Sequence, residues 1–420
     1  SLDSVTSDRM FTRFTDIFHT TGWEVVTLKY GKKQQAAFER PGGAALREWI
    51  DACPNSLYSA LTYKGGAAWR AHILDDIGHK RSLKSLINDF DDEGLQTLMV
   101  NLGGHDLELL LETFHSITSD KPHCFLTYTV KGYGLPFQGH KDNHAGLMNK
   151  SQMAAFQASM NIREGEEWAP FEGLDVDAEK LQHFLSDVPF NAAGTRRKIS
   201  QVIPVMDENF PAPQAGEQST QVAFGRILNE IAKGDSALAE RIVTTSPDVT
   251  VSTNLGGFVN QRGIFARHEV QDVFKEENVL SPQKWVMTPK GQHLELGIAE
   301  NNLFLALGAF GLSGSLWGER LLPVGTLYDP FIARGLDALN YACYQDARFM
   351  LVATPAGVTL APEGGAHQSF NSPPIGMAQP GLTYFEPAYV DELTEIMRWG
   401  FDHMQAEDGG SVALRLSTRL

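Results

Sequence analysis

The stretch Gly291 to Asn302, Gly-Gln-His-Leu-Glu-Leu-Gly-Ile-Ala-Glu-Asn-Asn, sets a carboxylate, Glu300, at the head of an apolar run that reaches to about Phe310. Leu296, Ile298, Leu303, Leu305 and Leu307 mark the segment for burial, with Gly308, Gly311 and Gly314 ending or closely packing the helix that forms. An ionised carboxylate entering such a segment alone would cost several kcal/mol. Glu300 should therefore be either protonated or hydrogen-bonded to something the pocket holds. The same residue at a helix end in water would do no chemistry.

Other candidate groups lie on loops. His140 and His144 have an H-x3-H spacing, but Gly134, Pro136, Gly139 and Gly146 deny the helix that would put both on one face, so a zinc site is not expected. His144, in a glycine-, histidine- and asparagine-rich stretch from Leu135 to Lys150, reads instead as a donor to an anion or a reacting oxygen, on a loop long enough to be a lid. Glu363-Gly364-Gly365-Ala366-His367-Gln368-Ser369 follows a strand, its glycines allow backbone to approach a ligand, and His367 can act there as acid, base or donor. Tyr328 and Phe331 flank Asp329-Pro330 and are placed to form an aromatic wall, although core packing is the default for such residues. Glycines 308, 311 and 314 follow an apolar helix and no G-x-x-x-x-G-K-[ST] occurs, so neither a nicotinamide nor a nucleoside-triphosphate site is evident.

The elements that must carry these groups alternate. Met10, Phe11, Phe14, Ile17 and Phe18 recur at helical spacing within residues 8–22, and Trp23 to Leu28 follows as a strand. Leu83 to Ile87 and Leu95 to Val100 read as helices, Gly103-Gly104-His105-Asp106 as a turn ending in an N-cap, Leu107 to Ile117 as a helix, and His123 to Val130 as a strand broken by Lys131-Gly132-Tyr133-Gly134. A loop at a strand's C-terminal end is where open α/β sheets place ligands. Residues 160–217 are acidic, proline-bearing and weakly periodic, and read as a connection. Beyond it come a helix at Val222 to Ile231, strands at Arg241 to Thr245, Leu321 to Gly325 and Arg348 to Thr354, a helix at Gly335 to Cys343, and long loops at Ser246 to Gly257 and Pro355 to Ser372. The expected fold class is α/β, two parallel-sheet domains joined by a linker.

Composition narrows the partners. Over 420 residues, 35 basic against 51 acidic side chains leave a net charge of -16, which argues against nucleic acid and anionic membranes. No 18-residue apolar run occurs, and Cys53, Cys124 and Cys343 are scattered and odd in number, as in a cytoplasmic protein with reduced thiols.

Taken together, the motifs resemble a known family. Gly297-Ile298-Ala299-Glu300 resembles the pyrimidine-domain signature of the transketolase-like thiamin diphosphate enzymes. Ser219-Thr220 with Ala223-Phe224, Arg226 and Leu228-Asn229, the turn Gly103 to Asp106, Lys131-Gly132-Tyr133-Gly134, and the segments Gly325 to Thr354 and Thr359 to His367 resemble the homodimeric pyruvate dehydrogenase E1 components. The resemblance implies a thiamin diphosphate-binding fold, with residues 1–160 the C-terminal part of the diphosphate-binding domain, 161–217 a linker and 218–420 the pyrimidine-binding domain. It implies that Glu300 hydrogen-bonds the aminopyrimidine ring and so helps remove the C2 proton of the thiazolium. Phe331 and Tyr328 match aromatic residues against that ring, His144 and His367 match histidines that handle the substrate carbonyl and carboxylate, Lys131 lies on a loop close to the cofactor, and Asp248 sits where related enzymes line the pocket.

The family holds the diphosphate through Mg²⁺ with a Gly-Asp-Gly motif and an Asn pair. Neither is in place here, since no Gly-Asp-Gly occurs and Asn301-Asn302 lies in the other domain, so that motif is expected upstream of this chain. The implied function is decarboxylation of a small 2-oxo acid, such as pyruvate, with acyl transfer to the lipoyl group of an acyltransferase partner, carried out by a homodimer. A transketolase acting on sugar phosphates is the alternative, though the family's Arg-Lys appears here as Gly225-Arg226. A catalytically silent fragment or regulatory homologue is the other.

Overall fold

The computed structural model describes residues 10–192, 197–205, 210–213 and 215–420. The chain divides into two compact units between His183 and Phe184.

In the first unit the helix Met10–Thr20 leads into β1 (Glu24–Leu28), which pairs in parallel with β2 (His123–Thr127) in register from Glu24 with His123 to Leu28 with Thr127. Residues 8 and 9 of the expected first helix lie outside the described residues, and β2 stops three residues short of the expected Val130. Between the strands, six helices from Lys32–Phe38 to Asp92–Val100 close around Leu46, Leu61, Trp69, Ile73, Leu83, Ile87 and Leu95. Only the last two were legible from spacing. The other four are 7 to 12 residues long and are punctuated by Gly42, Pro54 and Gly65, so none shows more than a few turns of periodicity.

The second unit holds one sheet with β4 (Ile264–Phe265), β5 (Met287–Thr288), β6 (His293–Glu295), β3 (Ile242–Ser246), β7 (Leu322–Leu327), β8 (Met350–Ala353), β9 (Leu382–Phe385) and β10 (Ser411–Arg415). Across the sheet they run β5-β4-β6-β3-β7-β8-β10-β9, every pairing parallel. Alternate residues separate into two cores. Val324, Met350, Val352, Val412 and Leu414 join the helices Thr220–Lys233 and Val390–His403 on one face. Leu327, Leu351, Ala353 and Ala413 join Glu300–Gly311 and Leu336–Tyr344 on the other. Helices on both faces explain why β7, β8 and β10 are buried at every residue.

The helix Glu300–Gly311 corrects one expectation. Leu303 and Leu307 are fully buried, but Ile298 is 78% and Leu305 56% exposed. Only the 303, 304, 307, 308 stripe meets the sheet, and Ile298 lies in the turn before the helix. The stripe packs closely because Gly325 of β7 has no side chain; a Cβ there would sit 2.7 Å from Leu307 Cδ1.

Candidate active site

Four of the expected residues come together at the C-terminal edge of β7. Glu300 opens its helix, where a carboxylate is favoured by the exposed backbone N–H groups, and is 7% exposed. It has the partner that burial demands: Arg334 Nη1 donates to Glu300 Oε1. The other carboxylate oxygen has no hydrogen-bond partner among the described residues. Arg334 also lies over the Phe331 ring at 3.6 Å, so one half-exposed guanidinium ties the acid to the aromatic. Tyr328 and Phe331 stack at 5.9 Å and 25°, and the His367 ring lies 6.0 Å from the first and 5.3 Å from the second. His367 Nδ1 is buried without a hydrogen-bond partner.

Sequence reading missed several supports of the candidate residues. Asp329, between the aromatics and fully buried, accepts from Arg415 Nε at 3.0 Å and from Gly357 N–H at 2.6 Å, while its own carbonyl accepts from Ser372 Oγ. It thereby fixes the turn after β7 to the loops that flank His367. Arg334 was also passed over, because an exposed-looking arginine after a strand carries no signal until the helix bearing Glu300 is folded beside it.

Another support lies beneath Asp248. Glu295 accepts from the Asp248 N–H at 2.8 Å, the Leu296 N–H at 3.0 Å, the Gly297 N–H at 3.2 Å and Thr250 Oγ1 at 2.6 Å. Asp248 itself is exposed, at φ +67°, a left-handed conformation that Asp tolerates and that this clamp holds. The fully buried His293 bridges Thr244 Oγ1 and Thr250 Oγ1 at 2.9 and 3.0 Å. Burial alone would push the Glu295 carboxyl up, but the His293 ring, Thr250 and the Asp248 N–H outweigh it and bring it down to about 2. A carboxyl held low in the folded chain stabilises it above the unfolded value of about 4.3, and that stability is lost as pH falls from about 5 toward 2. Wild type should therefore lose melting temperature more steeply over that window than Glu295→Gln, as read by a pH series of melts; parallel curves would show that the clamp contributes nothing.

Lys131 and His144 belong to the first unit and share its loop after β2. The Lys131 carbonyl accepts from the Gly139 N–H at 2.9 Å and Asn143 Nδ2 at 2.8 Å, and His144 is exposed. His105, read only as part of a turn, props this loop: its Nε2 accepts the Val130 N–H at 2.7 Å and its ring stacks on Tyr133 at 3.8 Å. Burial holds His105 below its ordinary value, in keeping with a neutral, accepting ring. Among the described residues no three His, Cys, Asp or Glu side chains gather as a metal cluster, and no helix is long and apolar enough to cross a membrane.

Residues 202–414, just over half the chain, match the family described as Pyruvate dehydrogenase E1 component middle domain. The chain belongs to that family. The match takes in Asp248, Glu300, Tyr328, Phe331 and His367. Curated proteins named pyruvate dehydrogenase E1 component are similar along nearly all of the chain. The one from Cupriavidus necator is 26% identical over 412 residues, covering 93% of this chain and 45% of the relative. That from Escherichia coli K12 is 25% identical over 429 residues, covering 96% and 46%. This pyruvate dehydrogenase E1-like chain thus spans under half the length of the curated relatives it matches. Among solved structures, transketolase from Leishmania mexicana aligns with all of the chain and 49% of its own at a TM-score of 0.54 and 15% identity, and transketolase from Campylobacter jejuni with 76% and 45% at 0.52 and 18%. At those identities the likeness shows the transketolase-like α/β fold.

Proposed function

We propose that the protein to which this chain belongs is a thiamin diphosphate-dependent 2-oxo acid dehydrogenase E1 that decarboxylates pyruvate or a similar small 2-oxo acid and passes the acyl group to a lipoyl group. The observation that carries the reading is the Glu300, Tyr328, Phe331 and His367 cluster inside the family match. A half-satisfied buried carboxylate, a stacked aromatic pair and an unpartnered buried ring nitrogen fit a planar ring that both donates and accepts hydrogen bonds, as an aminopyrimidine does.

When bound, thiamin diphosphate supplies the carbon nucleophile and electron sink that the decarboxylation needs. The chain's own residues do the rest. Glu300 turns its free oxygen to the pyrimidine nitrogen, where a proton is exchanged, with Arg334 fixing the other oxygen. Tyr328 and Phe331 orient the ring and exclude water. His367 and His144 hold the charge or proton on the substrate's carbonyl and carboxylate, Lys131 orders the loop that bears His144, and Asp248 lines the pocket. Mg²⁺ at the diphosphate end is assigned to residues other than these.

The domain assignment of 1–160, 161–217 and 218–420 is part of the same reading; the break at His183 and the start of the family match at residue 202 both fall in the middle stretch, which supports it. A homodimer with Glu300 at its interface is supported by Ile298, Leu305, Tyr341 and Tyr344, all large and exposed on or beside the helices that flank Glu300. Sedimentation of the full-length protein as a monomer would remove that assignment.

The test is turnover by the full-length protein with pyruvate, 2-oxobutyrate and a ketose phosphate. Activity with the 2-oxo acids is expected; activity with the ketose phosphate alone would make it a transketolase. His367→Ala and His144→Ala should each slow turnover of the 2-oxo acid by roughly 10²- to 10⁴-fold, the range for one acid-base or charge-stabilising group. Wild-type rates in both would leave them ordinary loop histidines.

A further inference from the structure

The opposite end of the same strands carries a polar cavity. It is about 280 Å³ and is lined by Arg197, Lys198, Arg320, Arg348, Asp346 and Glu407 together with Gly311, Leu312, Gly314 and Ser315. Arg320 lies two residues before the start of β7, whereas Tyr328 follows its end, and a strand of six residues is about 20 Å long. The cavity therefore belongs to no part of the Glu300 cluster.

Its charges are not balanced. Arg348 is committed: it donates to both Asp346 oxygens at 3.2 and 3.3 Å, to the Ala406 carbonyl and to the Glu407 carbonyl. Asp346 is therefore spent on Arg348. Arg320 makes one hydrogen bond, from Nε to the Gln201 carbonyl at 3.1 Å, and its two terminal amino groups have no partner among the described residues. Burial and the Arg348 charge hold Arg320 below its ordinary value, the mark of a cation kept against both desolvation and a like charge. Its terminal amino groups are not enclosed by protein, so they open onto the cavity where an anion can reach them. A guanidinium with two free N–H donors on one edge presents the fork that phosphate oxygens match, and Lys198 adds a third donor group at the rim. The backbone leaves room for it: Gly314 faces Ser200, whose Oγ would lie 2.6 Å from a Cβ there, so a side chain at 314 would press into the wall.

The geometry points to a binding site for the phosphate group of a small phosphorylated metabolite, held by Arg320 at the N-terminal edge of the sheet. The cavity volume suits one phosphoryl group and a few carbons, and is at the small end of ligand pockets. The site does not depend on the reading of the Glu300 cluster.

Calorimetric titration of the full-length protein with inorganic phosphate, then with glycerol phosphate, tests it. The titration is run at fixed ionic strength with thiamin diphosphate and Mg²⁺ present at saturation, so that a diphosphate site cannot report. Saturable binding of both is expected, and Arg320→Ala should weaken each about tenfold or more, the loss of a charged hydrogen-bond pair. Arg320→Lys, which keeps the charge and loses the fork, should fall between. The melting curve without phosphate checks that each variant is folded. Equal titrations in wild type and Arg320→Ala, or no heat in wild type, would overturn the site. Binding of inorganic phosphate with rejection of glycerol phosphate would overturn the metabolite and leave a simple anion.

Discussion

Glu300→Gln in the full-length protein is expected to slow exchange of the C2 proton of bound thiamin diphosphate by about 10²-fold or more, the contribution of one positioned proton-transfer group, while the fold survives. The amide keeps the volume of the side chain, and its oxygen can still accept from Arg334, so the ion pair becomes a hydrogen bond. Because Arg334 is half exposed, little desolvated charge is stranded by the change. What the amide cannot do is hold and release a proton at the oxygen that now lacks a partner. Cofactor affinity should change little if the diphosphate carries most of the anchoring. A Glu300 that served only to pair with Arg334 would give the reverse pattern, a lowered melting temperature with exchange intact. Deuterium exchange at C2 beside a melting curve separates the two, and unchanged exchange in a stable variant would remove Glu300 from the chemistry.

The residues legible in the sequence were those whose neighbours along the chain already state the problem. Glu300 stands at the head of an apolar helix, so burial and a need for a partner follow from spacing; the identity of that partner, 34 positions away, does not. Tyr328, Phe331 and His367 were marked by turn chemistry after strands, and the fold brings them within 6.0 Å of one another. Asp329 was overlooked although it sits between two residues that were chosen, because a strand-end Asp before Pro normally reads as a turn former. Its pairing with Arg415 joins β7 to β10 across 86 positions and has no local trace. His293 and Glu295 were hidden differently. They lie in β6, a strand of three residues, too short for a period-two pattern, and were absorbed into the apolar run that follows. In the first unit the four short helices from Lys32 to Ile77 went unseen for the same reason: packing around Trp49 and Trp69 holds them, and intrinsic periodicity is too brief to announce them.

Asp329→Ala should be the most destabilising of these changes, by about 3–5 kcal/mol, the usual cost of removing one member of a buried ion pair. For a unit of this size that corresponds to roughly 6–20 °C in melting temperature. Asp329 is fully buried and the Arg415 side chain 8% exposed. Burial works against the Arg415 charge, but Asp329 and Glu386 outweigh it and hold the guanidinium above its ordinary value. With Asp329 gone, Arg415 keeps only Glu386, which is about half exposed and screened by water. The Gly357 N–H loses its acceptor as well, so the loop after β8 is released together with the turn bearing Tyr328 and Phe331. Asp329→Asn retains an oxygen for that N–H and gives up only the charge, and should lie between wild type and alanine. Adding Arg415→Met to Asp329→Ala removes the stranded cation, and the double variant should be more stable than the sum of the single losses predicts, because the two residues act as one unit. Additive losses in chemical denaturation would show that Asp329 acts through packing alone. A recovery in the double variant without recovery of turnover would place its second role where the structure suggests, in holding the aromatic pair beneath His367.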